Sequence, residues 1–267
     1  MDAVRKSAVS GLFYPDNCGK ITEMIYLFNR SAQKHHPVSL PKEIIPRAII
    51  VPHAGYVYSG YTANLAYRSL KTARARRFIV IGPSHTYYFQ GISGSFYDTF
   101  QTPCGNLRID SPYLFALAKR FQIRFTPPAH EKEHSTEVQM PFLQHYFPDR
   151  EVIELVYGEI RIDSLANLMI ALLTNPDNIL VVSSDLSHFH PLHTANRIDR
   201  HCIEGINDLA TTPLNQCEAC GITGIKALIL AAKHLKLSSK VLHYTTSADY
   251  SHDTKSVVGY LSALFYR

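Results

Sequence analysis

Six apolar runs rich in β-branched residues punctuate this chain: "RAIIV" (47–51), "RFIVIG" (77–82), "EVIELVY" (151–157), "NILVVSS" (178–184), "KVLHYTT" (240–246) and "SVVGYLSALFY" (256–266). Runs this short, bounded by Gly, Pro, Asp and Ser, read as buried β-strands. Segments with helical spacing lie among them, at 60–71, 112–121, 163–174, 195–210 and 222–236 and after Ser135. A further helix, "CGKITEMIYLFNRSAQ", precedes the first clear strand across a Pro-rich polar segment at 34–46, and "DTFQTPCGNLRID" (98–110) reads as a hairpin. Strands apolar on both faces must be covered on both faces, and the alternation with helices supplies that cover. The expectation is an α/β fold in one domain, residues 1–267, with a central sheet flanked by helices.

Composition removes several functional classes. With 267 residues, 46% hydrophobic and 18% charged, the chain reads as an ordinary soluble globular protein. The net charge is +5, but the basic residues are scattered apart from "KTARARR" (71–77), which reads as the solvated end of a helix. A nucleic-acid partner would need a broader basic face. The apolar helical segment "LANLMIALL" (165–173) is half a membrane span, and the first residues hold no signal-peptide-like stretch. Five cysteines, an odd number in a chain too long to need cross-links, suggest a reducing compartment, so a cytoplasmic protein with buried thiols is expected. Cys217-x-x-Cys220 alone is a weak redox or zinc signal.

Polar chemistry collects where the strands end. "IIVPHAGYVYSG" delivers His53, "IVIGPSHTYY" delivers His85, "VVSSDLSHFHPLH" delivers Asp185, His188 and His190, and "YTTSADYSHD" delivers Asp249, His252 and Asp253. In α/β sheets the carboxyl ends of strands form the rim where ligands bind. Pro52 and Pro83 stiffen the turns that carry His53 and His85, and rigid placement suits a ligand. Two neutral imidazoles and a carboxylate, Asp249 or Asp185, would leave open positions on a metal. Such a set suits Fe(II), or zinc with a bound water. "HEKEH" (130–134) matches H-E-x-x-H, but "TPPA" before it places His130 at or before a helix start, where the two histidines do not share a face. Read instead from His134, "EHSTEVQMPFLQHYF" has Ser135 as a cap and sends Val138, Met140, Phe142 and Leu143 inward, with His134 and Glu137 near the helix mouth. Neither a G-x-S-x-G elbow nor a Gly-rich phosphate loop is present.

"GLFYPDN" near the start, then "PHAGYVYSG", "GPSH", "TPCGNLRID", "EHSTEVQMPFL", "SSDLSHF" and "SVVGYLSAL" follow one another in an order that resembles the Memo family, also called AmmeMemoRadiSam system protein B. The resemblance spans nearly the whole chain. It implies the fold of class III extradiol dioxygenases, a mixed central sheet between helices, with non-haem iron in that superfamily's enzymes. It makes His53 and His85 metal ligands and sets Asp185, His188 and His134 in the same cavity, with His188 or His134 as acid/base. The eukaryotic Memo protein has a cysteine as third ligand; here the matching segment "TSADYSHD" has none, and Asp249 falls at or next to that place. A 2-His-1-carboxylate set of this kind favours Fe(II), with zinc or copper as alternatives. Cys220, in a matching Cys-Gly, would border the cavity, as would Tyr56 and Glu137 as substrate-binding groups. The implied activity is a dioxygenase-like oxidoreductase with a small, aromatic substrate. The alternative is a peptide-binding pocket, since eukaryotic Memo is linked to phosphotyrosine-peptide binding. Radical-SAM and AMMECR1-like partners follow from the family's second name alone.

Overall fold

The structure is a computed structural model that describes residues 3–36 and 43–267; part of the Pro-rich 34–46 segment lies outside the described residues. Its elements run β1 (Val4–Arg5), α1 (Cys18–His35), β2 (Pro46–Val51), α2 (Tyr61–Ser69), β3 (Arg77–Pro83), β4 (Ile92–Gly94), β5 (Thr99–Thr102) and β6 (Gly105–Arg108). They continue α3 (Ser111–Phe121), α4 (Pro128–Glu131), α5 (Met140–Tyr146), β7 (Glu151–Tyr157), α6 (Ile162–Thr174), β8 (Asn178–Ser183), β9 (His188–His190) and α7 (Leu192–Asn207). The chain ends α8 (Ile222–His234), β10 (Ser238–Thr246), α9 (Ala248–Ser251) and β11 (Val257–Tyr266).

The main sheet has the order β10–β11–β2–β8–β3–β7–β4. Strands β2, β8, β3 and β7 are mutually parallel, whereas β11 and β4 run antiparallel to their neighbours. The sheet is therefore mixed, as expected. Side-chain alternation splits the core in two. Ile50, Ile79, Ile81, Leu180 and Val182 face α6 and α8, while Ile49, Val51, Val80 and Val181 face α1, α2 and α5. Each strand residue thus has apolar cover, and this is why the runs read as continuous in sequence. Helix ends follow local chemistry: the Asn17 side chain accepts from the Lys20 amide to start α1, and Asp110 accepts from Tyr113 to start α3.

One consequence of this order places the chemistry. Because β2, β8 and β3 are adjacent and parallel, their carboxyl ends open on one edge, and the turns after them carry His53, Asp185 and His85. Immediately after the His53 turn the backbone makes a π-helical turn at Tyr56–Gly60 before α2 begins; such turns recur at functional sites.

Several local expectations are corrected. Ser135 does not cap a helix; its hydroxyl donates to the Pro83 carbonyl, 2.8 Å away, and ties the β3 turn down. Arg77, read as part of a solvated run, is buried: it pairs with Asp110 at 2.8 Å and lies over the Tyr113 ring. Four of the five cysteines are not free thiols. Cys18 is bonded to Cys104, and Cys202 to Cys217, leaving Cys220 free. The first pair is separated by 86 residues, so only folding reveals it, and the reducing-compartment argument built on unpaired cysteines loses its basis. Among the described residues no helix is long and apolar enough to cross a membrane.

Candidate functional site

His53 is buried, and three contacts fix it. Its backbone amide donates to Asp185 Oδ1 (2.7 Å), its Nδ1 lies 2.9 Å from Ser183 Oγ, and its Nε2 lies 3.2 Å from Cys220 Sγ. Ser183 donates its own proton to the Ser135 carbonyl at 2.6 Å, so its oxygen accepts from His53 Nδ1–H and from Gln139. The Nε2 of His53 therefore carries the lone pair, and it faces Cys220 Sγ. Burial, with His85, His134 and His188 nearby, holds this imidazole well below its usual value, so it stays neutral.

His85 repeats the design with a different partner. Glu133, fully buried, places Oε1 2.9 Å from His85 Nδ1 and Oε2 2.6 Å from its backbone amide. Burial alone would raise the Glu133 carboxyl, but the hydrogen bonds from His85 and Ser135 outweigh it and hold it down at about 2. An ionised acceptor requires Nδ1–H, which again leaves Nε2 as the free donor atom. The His53 and His85 rings lie 5.1 Å apart, and the His134 ring is 5.3 Å from the first and 4.5 Å from the second.

Cys220 completes the group. His53, His85 and Cys220 each offer a ligand atom within 4.8 Å of the others; His85, Glu133 and His134 form a second such set. In the second set Glu133 already engages His85 Nδ1, so we read it as the orienting group and the first set as the ligands. Burial, with the Asp185 carboxyl beside it, pushes the Cys220 thiol up to about 12. It is protonated unless a cation displaces the proton. Two imidazoles with free Nε2 atoms and one displaceable thiol suit a borderline transition metal such as Fe(II), Zn(II) or copper.

The remaining site residues sort by where the fold puts them. Asp185 accepts from both the His53 and Ala54 amides, so it shapes the His53 turn; burial raises its carboxyl to about 7. His188 is half-buried on β9; burial, with His85 nearby, lowers its imidazole, and it is in turn one of the groups that lower His53. His134 is half-buried, with its Nδ1 3.5 Å from Glu133. Three expectations are corrected. Asp249 belongs to no converging ligand group among the described residues; α9 folds it back on β10, where its Oδ2 accepts from Thr245 Oγ1 and the Thr246 amide. Tyr56 points into the core, stacked on Phe142 and donating to the Val138 carbonyl. Glu137 is fully buried under the N-terminal segment, where it accepts from Arg5, Ala8, Val9 and Tyr14. The H-E-x-x-H motif, already disfavoured by its sequence context, holds no ligand pair: His130 is buried against Ser93 and Glu154, in neither ligand group. Glu133 escaped sequence reading, although the "EHS" beside His134 was the signal for it.

Two surface cavities of about 620 Å³ each lie elsewhere, one beside Lys71 and Arg150 and one beside Arg161 and Lys226. Neither holds a comparable set of donors. What defines this molecule is an α/β sheet with a histidine–thiol cluster at the carboxyl ends of its parallel strands. The profile described as Memo-like protein matches residues 5–264, and the chain belongs to that family. It is 32% identical to a MEMO1 family protein of Methanobrevibacter smithii (98% of this chain, 99% of the relative). It is equally similar to one of Thermoplasma volcanium, covering 97% of each chain. An uncharacterized Escherichia coli K12 protein of known crystal structure shares the fold, with TM-score 0.52 and 13% identity over 82% of this chain and 99% of that one.

Proposed function

We propose that this chain is a non-haem Fe(II) protein with oxidoreductase activity, holding the ion through His53 Nε2, His85 Nε2 and Cys220 Sγ. The observation that carries the reading is that His53, His85 and Cys220 each bring one ligand atom within 4.8 Å of the others, while both Nδ1 atoms are committed elsewhere. A bound ferrous ion would supply redox chemistry and open coordination positions. The chain's own residues do the rest. Ser183 and Glu133 set the imidazole tautomers, and Asp185 pins the His53 turn through two amides. Burial keeps His134 and His188 neutral, so either accepts a proton from a hydroxyl brought to the cluster. The thiol softens the set relative to the expected carboxylate, which makes zinc and copper the competing ions.

A second reading, recognition of a peptide partner, is favoured by the exposed side chains that follow the site histidines, Tyr88 and Phe189, at 78% and 76% exposure. Anaerobic metal titration with Fe(II), Zn(II) and Cu(I), followed by oxygen-uptake measurements with added phenols, separates the two. One Fe(II) per chain, at least 100-fold weaker binding in His53→Ala, and oxygen uptake that needs His188 or His134 support the enzyme. Metal binding indifferent to His53 removes it.

A further inference from the structure

The two cysteines of Cys217-x-x-Cys220 have separate roles in the fold. Cys217 is bonded to Cys202 of α7, 15 residues earlier, whereas Cys220 stays a thiol and lies 3.2 Å from His53 Nε2. Residues 217–219 belong to no helix or strand, and α8 begins only at Ile222. The thiol therefore sits at the end of a short irregular arm whose other end is a disulfide. With three residues between the two attachment points, little slack separates them.

The two flanks of Cys220 are held differently. Downstream, the Gly221 amide donates to Ser184 Oγ at 2.9 Å, and a Cβ on Gly221 would lie 2.6 Å from Ser184 Cβ, so this flank is pressed onto the end of β8. Cys220 Sγ itself accepts from the Asp185 amide at 3.3 Å. Upstream, the disulfide is the covalent tie. The other side-chain link there is Glu218 to His190 at 2.7 Å, between groups 55% and 33% exposed, and an ion pair so open to water holds little. The helix that receives the tie also steadies the site: Asp199 of α7 accepts from the Ser187 amide (3.1 Å) and from the Tyr244 hydroxyl (2.8 Å). One helix thus fixes both the Asp185–His188 turn and the Cys220 arm. Without the disulfide the segment keeps its fold, since Leu214 is buried and packs closely on Gly205 of α7. What it loses is the upstream hold on the thiol.

We propose that the Cys202–Cys217 disulfide is a redox gate on the His53–His85–Cys220 cluster. Closed, it holds the Cys220 thiol in register with the two imidazoles; opened, it frees the arm and the cluster loses its third ligand. The inference rests on the metal-site reading and names a control on that site. The opening agent is a dithiol. Its thiolate attacks Cys217 Sγ, the less buried sulfur, at 8% residue exposure against 0% for Cys202, and Cys202 leaves as thiolate. The second thiol of the reductant then displaces Cys217 and closes into a cyclic disulfide. Two electrons and two protons pass to the cysteine pair, and an oxidant reverses the exchange.

Anaerobic Co(II) titration tests the gate, because a cobalt–thiolate bond adds a charge-transfer absorption that reports Cys220 directly. It compares oxidised wild type with Cys202→Ala/Cys217→Ala and with Cys18→Ala/Cys104→Ala, which keeps only the Cys202–Cys217 bond. The latter is read oxidised, then after dithiothreitol and desalting, then after re-oxidation with diamide. His53→Ala and Cys220→Ser report the metal site on its own. The expected result is about tenfold weaker binding, with a diminished absorption, in both opened forms. Re-oxidation should restore both, which a merely misfolded chain would not do, and loss of the Cys18–Cys104 bond should change neither. Binding that needs His53 but is as tight, or tighter, in either opened form overturns the gate and leaves the metal site standing. Wild-type binding indifferent to both His53 and Cys220 overturns the two together.

Discussion

Arg5 shows how much a single residue holds in place. It is 1% exposed, and its guanidinium reaches Glu137 Oε2 (3.0 Å), Glu154 Oε1 (3.2 Å) and the Glu133 carbonyl (2.7 Å). Through Glu133 it bears on the His85 ring. Removing one partner of a buried ion pair leaves the others uncompensated, so Arg5→Ala should lower stability by about 3–5 kcal/mol in urea unfolding. Glu154 adds a pH signature. Burial alone would raise its carboxyl, but Arg5 and His130 outweigh that and bring it to about 2. A depressed folded value means the stabilisation is present above the unfolded carboxylate value and is lost as pH falls from about 4.5 to about 2. Glu154→Gln should flatten stability across that window in acid titration followed by circular dichroism; an unchanged acid limb would show that Glu154 carries none of it.

At the level of elements, the turn after β3 is the tightest joint of the site. A Cβ on Gly82 would lie 2.5 Å from Ser135 Oγ and 3.0 Å from Ser135 Cβ, where the "EHS" segment crosses the strand end. Gly82→Ala must push that segment away, taking Glu133 from His85. Overpacking of this kind costs about 1–3 kcal/mol, and thermal unfolding should register it together with weaker metal binding. Ser135→Gly removes the clashing side chain, so the double variant should recover most of both losses. Lack of recovery would mean that the clash lies elsewhere. Strand β2 was legible in sequence because Ile49, Ile50 and Val51 are all buried. The short strand β9 was not, since His188-Phe189-His190 has no apolar alternation and forms only by pairing to β11, with Phe189 at φ 62°.

For the whole molecule, the disulfide Cys18–Cys104 ties α1 to the β5–β6 hairpin across 86 residues of chain. In the chain-entropy account, closing a loop of that length stabilises by about 4–5 kcal/mol, so Cys18→Ser should lower Tm by several degrees under non-reducing conditions. No difference between oxidised and reduced wild type would show that the link contributes nothing. The α/β class, the six long strands and the histidines at their ends followed from sequence alone, because hydrophobic periodicity and turn chemistry are local properties that survive without a partner in view. The third member of the cluster did not. Asp249 follows a strand as His53 and His85 do, yet α9 turns its carboxylate onto Thr245, while Cys220, 167 residues from His53, meets that ring at 3.2 Å. Glu133 and Arg5 were equally silent, since what each does depends on which distant groups face it. Spacing along the chain governs which residues reach a strand end; only the packed sheet, through strand order and register, decides which of them point at one another.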